Sequence, residues 1–75
     1  MRSAFVLVNT NLGKEVEVES ELRKVEGIVG VYQVYGVYDV VIKIEAESEK
    51  QLKDIIFSKI RTLEDVRSTL TLTMV

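Results

Sequence analysis

Two segments of this chain carry apolar residues at the same spacing, and this repeat constrains the fold more than any other feature. The matched pairs are Val18 and Ile56, Leu22 and Ile60, Val25 and Leu63, and Ile28 and Val66. Steps of four and three residues keep side chains on one face of a helix. Each segment therefore predicts an amphipathic helix that leads into a strand. Since a β-prone run also precedes each helix, the sequence predicts two consecutive βαβ units.

Four runs rich in β-branched residues supply the strands. The first and third are apolar at nearly every position, which is typical of strands buried on both faces. Gly30 interrupts the second run, and Gly36 follows it and predicts a tight hairpin. The predicted strands are residues 4–8, 29–35, 38–44 and 67–75.

The last run alternates large apolar residues with threonines, as a strand with two different faces does. Its members are Leu70, Leu72 and Met74 on one side and Thr69, Thr71 and Thr73 on the other. The threonines could line an interface, a ligand site or solvent. They also suit an edge strand through β-propensity alone.

The two helices are bounded by different end signals. Gly13 precedes the first helix, and Gly27 stands where a C-terminal cap is expected. Ser48 with Gln51 at the third following position fits a capping box, which predicts the start of the second helix. The face that this helix is expected to bury comprises Leu52, Ile55, Ile56, Ile60 and Leu63.

Two βαβ units with right-handed crossovers define one topology. The first and third strands pair in the middle, the second and fourth lie at the edges, and both helices cover the same face. We therefore expect an α+β fold with a ferredoxin-like βαββαβ layout, an antiparallel sheet of order 4-1-3-2 with two helices on one face, and a single domain over residues 1–75. No proline or low-complexity linker interrupts the chain.

The helix-free face of this sheet is predicted to be apolar. Residues on a strand alternate between faces, so Ala4, Val6 and Val8 point one way and Phe5 and Leu7 the other. Whichever set meets the helices, apolar surface remains outside. A domain of 75 residues buries only about 60% of the surface of its unfolded chain. We therefore expect a homodimer in which two sheets stack face to face.

Composition excludes several function classes. Cysteine and histidine are absent, which removes disulfides, imidazole bases and the usual zinc ligands. No nucleophile and base pair is visible, so we assign no active site, metal or cofactor and expect no enzyme. A net charge of -2 disfavours nucleic acid. No apolar stretch reaches the roughly 20 residues of a membrane helix, and no signal peptide is evident, so a cytoplasmic protein is the default expectation.

The segment Tyr35-Gly36-Val37-Tyr38-Asp39 is the most suggestive local sequence. It places a glycine turn, two aromatic residues and a carboxylate together. Asp39 could be a turn carboxylate that accepts hydrogen bonds from backbone amides, or the acceptor for a ligand ammonium group. The residues alone leave both roles open.

Several segments of the chain resemble the effector-binding domain of Lrp/AsnC-type transcriptional regulators, which is ACT-like in fold. These segments are Ala4-Phe-Val-Leu-Val-Asn-Thr10, Val34-Tyr-Gly-Val-Tyr-Asp-Val-Val-Ile-Lys43, Lys59-Ile-Arg61 and Ser68-Thr-Leu-Thr71. The sequence is especially similar to stand-alone versions of this domain, which have no DNA-binding helix-turn-helix. The resemblance implies dimers that assemble into rings of four or five dimers, that is, an octamer or decamer.

The resemblance also implies a site for a small amino acid between dimers. Gly36, Val37, Tyr38 and Asp39 would hold the amino-acid backbone, and the hydroxyls would come from Ser68, Thr69 and Thr71. Val37 stands where many relatives carry Glu, which removes a charge beside this site. The implied function is a non-enzymatic amino-acid sensor that modulates a full-length Lrp/AsnC regulator. A purely structural oligomerisation module is the alternative.

Two other functions share the predicted topology but lack their residues here. An acylphosphatase-type enzyme needs an arginine and a glycine-rich anion loop where this chain has Asn9-Thr-Asn-Leu-Gly13. An RNA-recognition domain needs aromatic and basic residues on its central strands, and Phe5 is the lone aromatic of the first strand.

Overall fold

The computed structural model describes residues 2–73. Met1, Met74 and Val75 lie outside the described residues, so the predicted end of the last strand at Val75 is not tested. The elements are β1 Arg2–Thr10, α1 Glu15–Arg23, β2 Ile28–Gln33, β3 Val40–Ala46, α2 Glu49–Asp54, a π-helical segment Ile55–Ile60 that continues α2, and β4 Val66–Thr73.

The strands form an antiparallel sheet of order β2-β3-β1-β4. This order is the predicted 4-1-3-2 arrangement read from the other edge. The expected α+β, ferredoxin-like fold is confirmed, and β1 and β3 are the two central strands. Their place explains why these two strands carry the most continuous apolar sequence.

Both helical regions pack on one face of the sheet. In β1 the residues on that face are Ala4, Val6 and Val8, and all three are fully buried. A single cluster of buried side chains joins them to β2, β3, α1, α2 and the π-helical segment. Its other members are Val18, Leu22, Val31, Val40, Ile42, Ile44, Ala46, Leu52, Ile55, Ile56 and Ile60.

The opposite face, which we call the open sheet face, carries a second set of apolar side chains. They are Phe5, Leu7, Tyr32, Val41, Leu70 and Leu72. Strand register aligns them in rows: Tyr32 lies opposite Val41, Val41 opposite Leu7, and Leu7 opposite Leu70. Leu70 is 45% exposed and Leu72 50% exposed. The predicted helix-free face is therefore present, and one apolar row crosses it, but β3 also places the charged Lys43 and Glu45 on this face.

Gly30 gives the aromatic ring of Tyr32 its place on the open sheet face. A Cβ atom at Gly30 would lie 2.6 Å from the Tyr32 hydroxyl oxygen. The ring therefore lies back along β2 over the glycine, in a space that any larger residue would fill. The interruption of the β pattern by Gly30 thus has a packing cause.

The first helix ends earlier than the glycine signal indicates. α1 stops at Arg23, with Lys24 as its C-cap, so the prediction that Gly27 caps the helix is wrong. Gly27 instead begins the approach to β2 with φ of +98°, and its carbonyl accepts a hydrogen bond from the Glu45 amide at 2.8 Å. The left-handed conformation favours glycine in a turn as it does at a cap, so the residue type alone does not separate the two positions.

The second helix begins as predicted and then widens. The Ser48 hydroxyl accepts a hydrogen bond from the Gln51 amide at 3.1 Å, which confirms the N-terminal cap. The helix widens into the π form over Ile55–Ile60, and the amide of Arg61 reaches the carbonyl of Ile56, five residues back, at 3.1 Å. No helix among residues 2–73 is long and apolar enough to cross a membrane.

The predicted tight hairpin at Gly36 is wrong. β2 ends at Gln33 and β3 begins at Val40, so residues 34–39 form a loop, and Tyr38 precedes β3 rather than beginning it. The amide of Val34 donates to the carbonyl of Asp39 at 2.8 Å and closes the loop.

Substitution of Gly27 by alanine is expected to destabilise the fold. The left-handed backbone costs an alanine about 1–2 kcal/mol, and the new Cβ would lie 2.6 Å from Ile55 Cδ1, which adds an overpacking cost of about 1–3 kcal/mol. Urea unfolding at a fixed protein concentration measures the loss.

Gly13→Ala is the matched control for this variant. Gly13 has φ of +79° but no atom within 4 Å of a built Cβ, so its substitution reports the backbone cost alone. Equal losses in the two variants would contradict a packing role for the Gly27 and Ile55 contact.

Candidate functional site

A groove opens where the C-terminal end of β1 meets the loop between β2 and β3. We call it the hairpin groove; its volume is about 490 Å³. It lies at one end of the sheet, away from the middle of the open sheet face. Its lining residues are Asn9, Thr10, Leu12, Glu15, Gln33, Val34, Tyr35, Gly36, Val37, Asp39 and Arg67.

The loop of residues 34–39 forms one wall of this groove. Gly36 has φ of +143°, a conformation that other residues rarely adopt, so this loop shape depends on glycine. Tyr35 and Val37 flank it with strongly exposed side chains, and Leu12 on the opposite loop is fully exposed. The rim of the groove is therefore apolar.

Asp39 ties this loop to β1. Its Oδ2 atom accepts hydrogen bonds from the Thr10 amide at 3.1 Å and from the Thr10 hydroxyl. The Asp39 amide in turn donates to the carbonyl of Val8 at 3.1 Å. Asp39 therefore has a structural contact, but the amide that it binds lies on β1, 29 residues away, and not within the turn as the turn-carboxylate role would require. Among residues 2–73 no donor reaches its second oxygen, Oδ1.

Gln33 lines the hairpin groove, and a hydrogen bond to α1 fixes its side chain. Its Nε2 atom donates to Glu19 Oε1 at 2.7 Å, and the Arg23 guanidinium donates to Glu19 Oε2 at 2.8 Å. The hydrogen bond from Arg23, and after it the one from Gln33, lowers the pKa of Glu19 below its ordinary value. Arg23 also donates to the carbonyl of Val31. The last residues of β2 are thus fixed against α1 just before the loop begins.

A second groove of about 300 Å³ follows the first half of β4, and we call it the β4 groove. Its lining residues are Arg61, Val66, Arg67, Ser68 and Thr69. Arg67 also lines the hairpin groove, so the two grooves adjoin at this side chain.

A third groove of about 220 Å³ lies between the second helical region and the far half of β4. Leu52, Ile56 and Phe57 make much of its lining apolar. Thr71 and Thr73 close it from the side of the sheet. The threonine stripe therefore lies on the helix-covered side of β4, opposite Leu70 and Leu72.

The seven residues that the resemblance assigns to a site fall into different places within one copy of the chain. Gly36, Val37 and Asp39 line the hairpin groove, whereas Tyr38 is half-buried and lines none of the three grooves. Ser68 and Thr69 line the β4 groove and Thr71 lines the third. One chain therefore does not gather all seven residues around one cavity.

Sequence reasoning missed Arg67 as a groove residue. The strand order contains a signal for it, since β1 and β4 are antiparallel neighbours and Asn9 pairs with Ser68. The start of β4 must then lie beside the end of β1, where the loop from β2 to β3 also arrives. A register irregularity between Asn9 and Thr10 accompanies this approach.

The hairpin groove combines both charge signs with free polar groups. Glu15 and Asp39 are acidic and Arg67 is basic. A small molecule that carries an ammonium and a carboxylate group would find complementary groups in it. Within residues 2–73 no three carboxylates lie close enough together to bind a metal ion.

Comparison with known proteins identifies the family. The family model described as the Lrp/AsnC ligand binding domain matches residues 3–75. This chain belongs to the Lrp/AsnC family. The HTH-type transcriptional regulator FL11 of Pyrococcus furiosus is 36% identical over 69 residues, which are 92% of this chain and 45% of that protein. The chain thus spans about half the length of this Lrp/AsnC relative.

Solved structures of Lrp/AsnC-type proteins share the fold. FFRP-DM1 superposes with a TM-score of 0.97 at 36% identity, and the match covers 100% of both chains. The transcriptional regulator NMB0573 of Neisseria meningitidis, solved as an L-Met complex, has a TM-score of 0.86 at 12% identity, over 99% of this chain and 49% of that one. The second likeness shows the fold alone. The resemblance drawn from the sequence is confirmed.

Loss of the Asp39 carboxylate is expected to loosen the end of β1. Asp39→Ala removes the acceptor for the buried Thr10 amide and hydroxyl, and a hydrogen bond to a charged group contributes about 1.5–3 kcal/mol. Amide hydrogen exchange should therefore become faster at Thr10 in this variant. Glu15→Gln, which changes another carboxylate of the same groove, should leave Thr10 protected. Unchanged exchange in Asp39→Ala would contradict the proposed anchoring.

Proposed function

We propose that this domain binds a small amino acid in the hairpin groove and regulates by assembling with copies of itself and with a full-length Lrp/AsnC regulator. Membership of the family assigns the domain to the regulatory, ligand-binding class. The relatives are transcriptional regulators, and the proposal contains no catalytic step. The observation that carries it is the position of Asp39, whose Oδ2 atom is bound by Thr10, in one groove beside the loop of residues 34–39.

The groups of the groove suit the two ends of an amino acid. The Oδ2 atom of Asp39 accepts hydrogen bonds from Thr10, and these bonds fix the orientation of the carboxylate. The Oδ1 atom remains for a ligand ammonium group. Backbone amides around Gly36 and Val37, together with β4 hydroxyls from Ser68, Thr69 and Thr71 of a neighbouring copy, are the proposed donors to the ligand carboxylate. Tyr38 completes the loop at this site.

Apolar walls suit the carbon chain of the ligand side chain. Leu12, Val34 and Val37 line the groove, and Val37 brings no charge to it. An amino-acid ligand also agrees with the L-Met complex of the Neisseria relative. Where the resemblance implies a glutamate acceptor this chain has Val37, so it is expected to bind with a different preference.

The open sheet face is the proposed dimer seam. One apolar row crosses all four strands, and Phe5 and Leu72 extend it on β1 and β4. Contiguous apolar surface of this kind is usually an interface in soluble proteins. We propose that dimers then assemble into rings of four or five dimers through their exposed loops. Leu12, Tyr35 and Val37 supply apolar surface there.

A structural oligomerisation module without a ligand is the second candidate function. The Asp39 bond to Thr10 favours it, because an anchor for the loop explains this carboxylate without any ligand. The two candidates predict the same rings and differ only in the response to amino acids.

Calorimetry with each of the twenty amino acids, paired with light scattering, separates these functions. We expect at least one amino acid to bind and the protein to be a dimer or a multiple of it. A well-formed ring that binds no amino acid at millimolar concentration would contradict the sensor and favour the structural module.

Asp39→Asn tests the role of the charge within the same experiment. The asparagine keeps an oxygen for Thr10 but lacks the negative charge for an ammonium group, so binding of the amino acid should fall by about tenfold or more. Glu64→Gln removes an exposed carboxylate that lines none of the three grooves, and this variant should bind the amino acid with the affinity of the natural chain. Equal affinity in Asp39→Asn and the natural chain would contradict ammonium recognition at Asp39.

A further inference from the structure

The β4 groove carries a concentration of positive charge that the amino-acid proposal leaves unused. Two of its five lining residues, Arg61 and Arg67, are guanidinium side chains, and no acidic residue lines it. The remaining lining residues include the hydroxyl side chains of Ser68 and Thr69. In a chain with a net charge of -2, such a local excess of positive charge stands out.

Arg61 is held in place by two contacts. Its guanidinium carbon lies 4.4 Å from the centre of the Phe57 ring, and its Nε atom donates to Thr69 Oγ1 at 3.3 Å. Both contacts leave the terminal nitrogens of the guanidinium for other partners. Since Thr69 Oγ1 accepts from Arg61, its own hydroxyl hydrogen can be donated elsewhere.

The charges of this groove are not neutralised by the part of the chain that the structure describes. Four basic side chains elsewhere lie within 4.0 Å of a carboxylate, namely Arg23, Lys24, Lys43 and Lys53. Within residues 2–73 no such pair involves Arg61 or Arg67. The carboxylate of Asp65, two residues before Arg67, accepts a hydrogen bond from Asn11 at 3.2 Å.

From this arrangement we infer that the β4 groove is a carboxylate subsite and that the ligand is an amino acid with an acidic side chain. The inference rests on the proposed function, because the α-ammonium group is taken to lie at Asp39 in the hairpin groove. Arg67 lines both grooves, so one ligand can span them. The fork of a guanidinium matches the two oxygens of a carboxylate, and positioned donors reduce the entropy cost of binding.

This subsite also gives Val37 a physical role. A glutamate at this position would add a third carboxylate to the wall of the hairpin groove, which already has Glu15 and Asp39. Like charges in one groove repel, so an uncharged valine accommodates an acidic ligand better. The lack of a charge at Val37 and the positive charges of Arg61 and Arg67 therefore both favour an acidic ligand.

Binding of L-glutamate, L-glutamine and glutarate to the natural chain, measured by calorimetry at one ionic strength, tests the inference. These molecules separate the contributions of the side-chain carboxylate and the ammonium group. We expect glutamate to bind at least about tenfold more tightly than glutamine, because only its side chain forms a charge-assisted hydrogen bond with a guanidinium. Glutarate should bind more weakly than glutamate, because it has no ammonium group for Asp39.

Arg67→Gln is the decisive variant, since the loss of Arg61 would also remove its contacts with Phe57 and Thr69. In Arg67→Gln the preference should disappear, because the affinity for glutamate falls to that for glutamine. Arg61→Lys keeps the charge but not the fork, and should reduce the preference. Lys59→Gln removes one positive charge from the same helical region outside the groove and should leave the preference unchanged.

The outcomes separate this inference from the proposed function. Equal affinity for glutamate and glutamine in the natural chain, or an equal loss of both in Arg67→Gln, overturns the acidic class while amino-acid binding stands. Glutarate bound as tightly as glutamate supports the carboxylate subsite but contradicts recognition of an ammonium group. If none of the twenty amino acids binds, both proposals are overturned.

Discussion

The structure depends on the burial of one face of the sheet by both helices. Right-handed crossovers in two consecutive βαβ units bring α1 and α2 to the same side, where Ala4, Val6 and Val8 become fully buried. The same geometry leaves the other side without a helix. On the open sheet face β1 presents Phe5 and Leu7, and β3 presents Val41 together with the ion pair of Lys43 and Glu45. The topology thus leaves one face of the sheet uncovered within one chain, and this uncovered face is the basis for the proposed dimer.

The proposed ligand site lies apart from this seam, at the end of the sheet. Three segments distant in sequence converge there: the end of β1, the loop after β2 and the start of β4. The bond between Asp39 and Thr10 joins the first two, and strand pairing brings Arg67 to them. A ligand at this end would contact groups from all three, as well as the exposed loops through which dimers are proposed to meet. Binding and assembly would then be coupled through shared residues, while the dimer seam remains constant.

Periodicity predicted the number, order and partners of the elements because the apolar spacing is set by which face each element buries. It could not predict features that leave this spacing unchanged. Ile56 and Ile60 share a face in an α-helix and in a π-helix alike, so the wider turn was not foreseen. Gly27 and Gly36 signalled left-handed backbone, but the residue type does not distinguish a helix cap from a turn or a tight hairpin from a longer loop. Arg67 was missed because its role arises from the pairing of β1 with β4, whereas Asp39 was visible as a polar residue in an otherwise apolar hairpin.

The most direct test is whether one charge on the open sheet face separates the chains. Leu72→Glu places a carboxylate on the proposed seam, beside Phe5. Val16→Glu places one on the exposed face of α1, where the side chain is 64% exposed. Sedimentation should give a dimer or a multiple of it for the natural chain and for Val16→Glu. For Leu72→Glu it should give a folded species near the monomer mass of 8.5 kDa, or an unfolded chain. A natural chain that sediments as a stable monomer, or a Leu72→Glu variant that keeps the natural mass, would contradict the account.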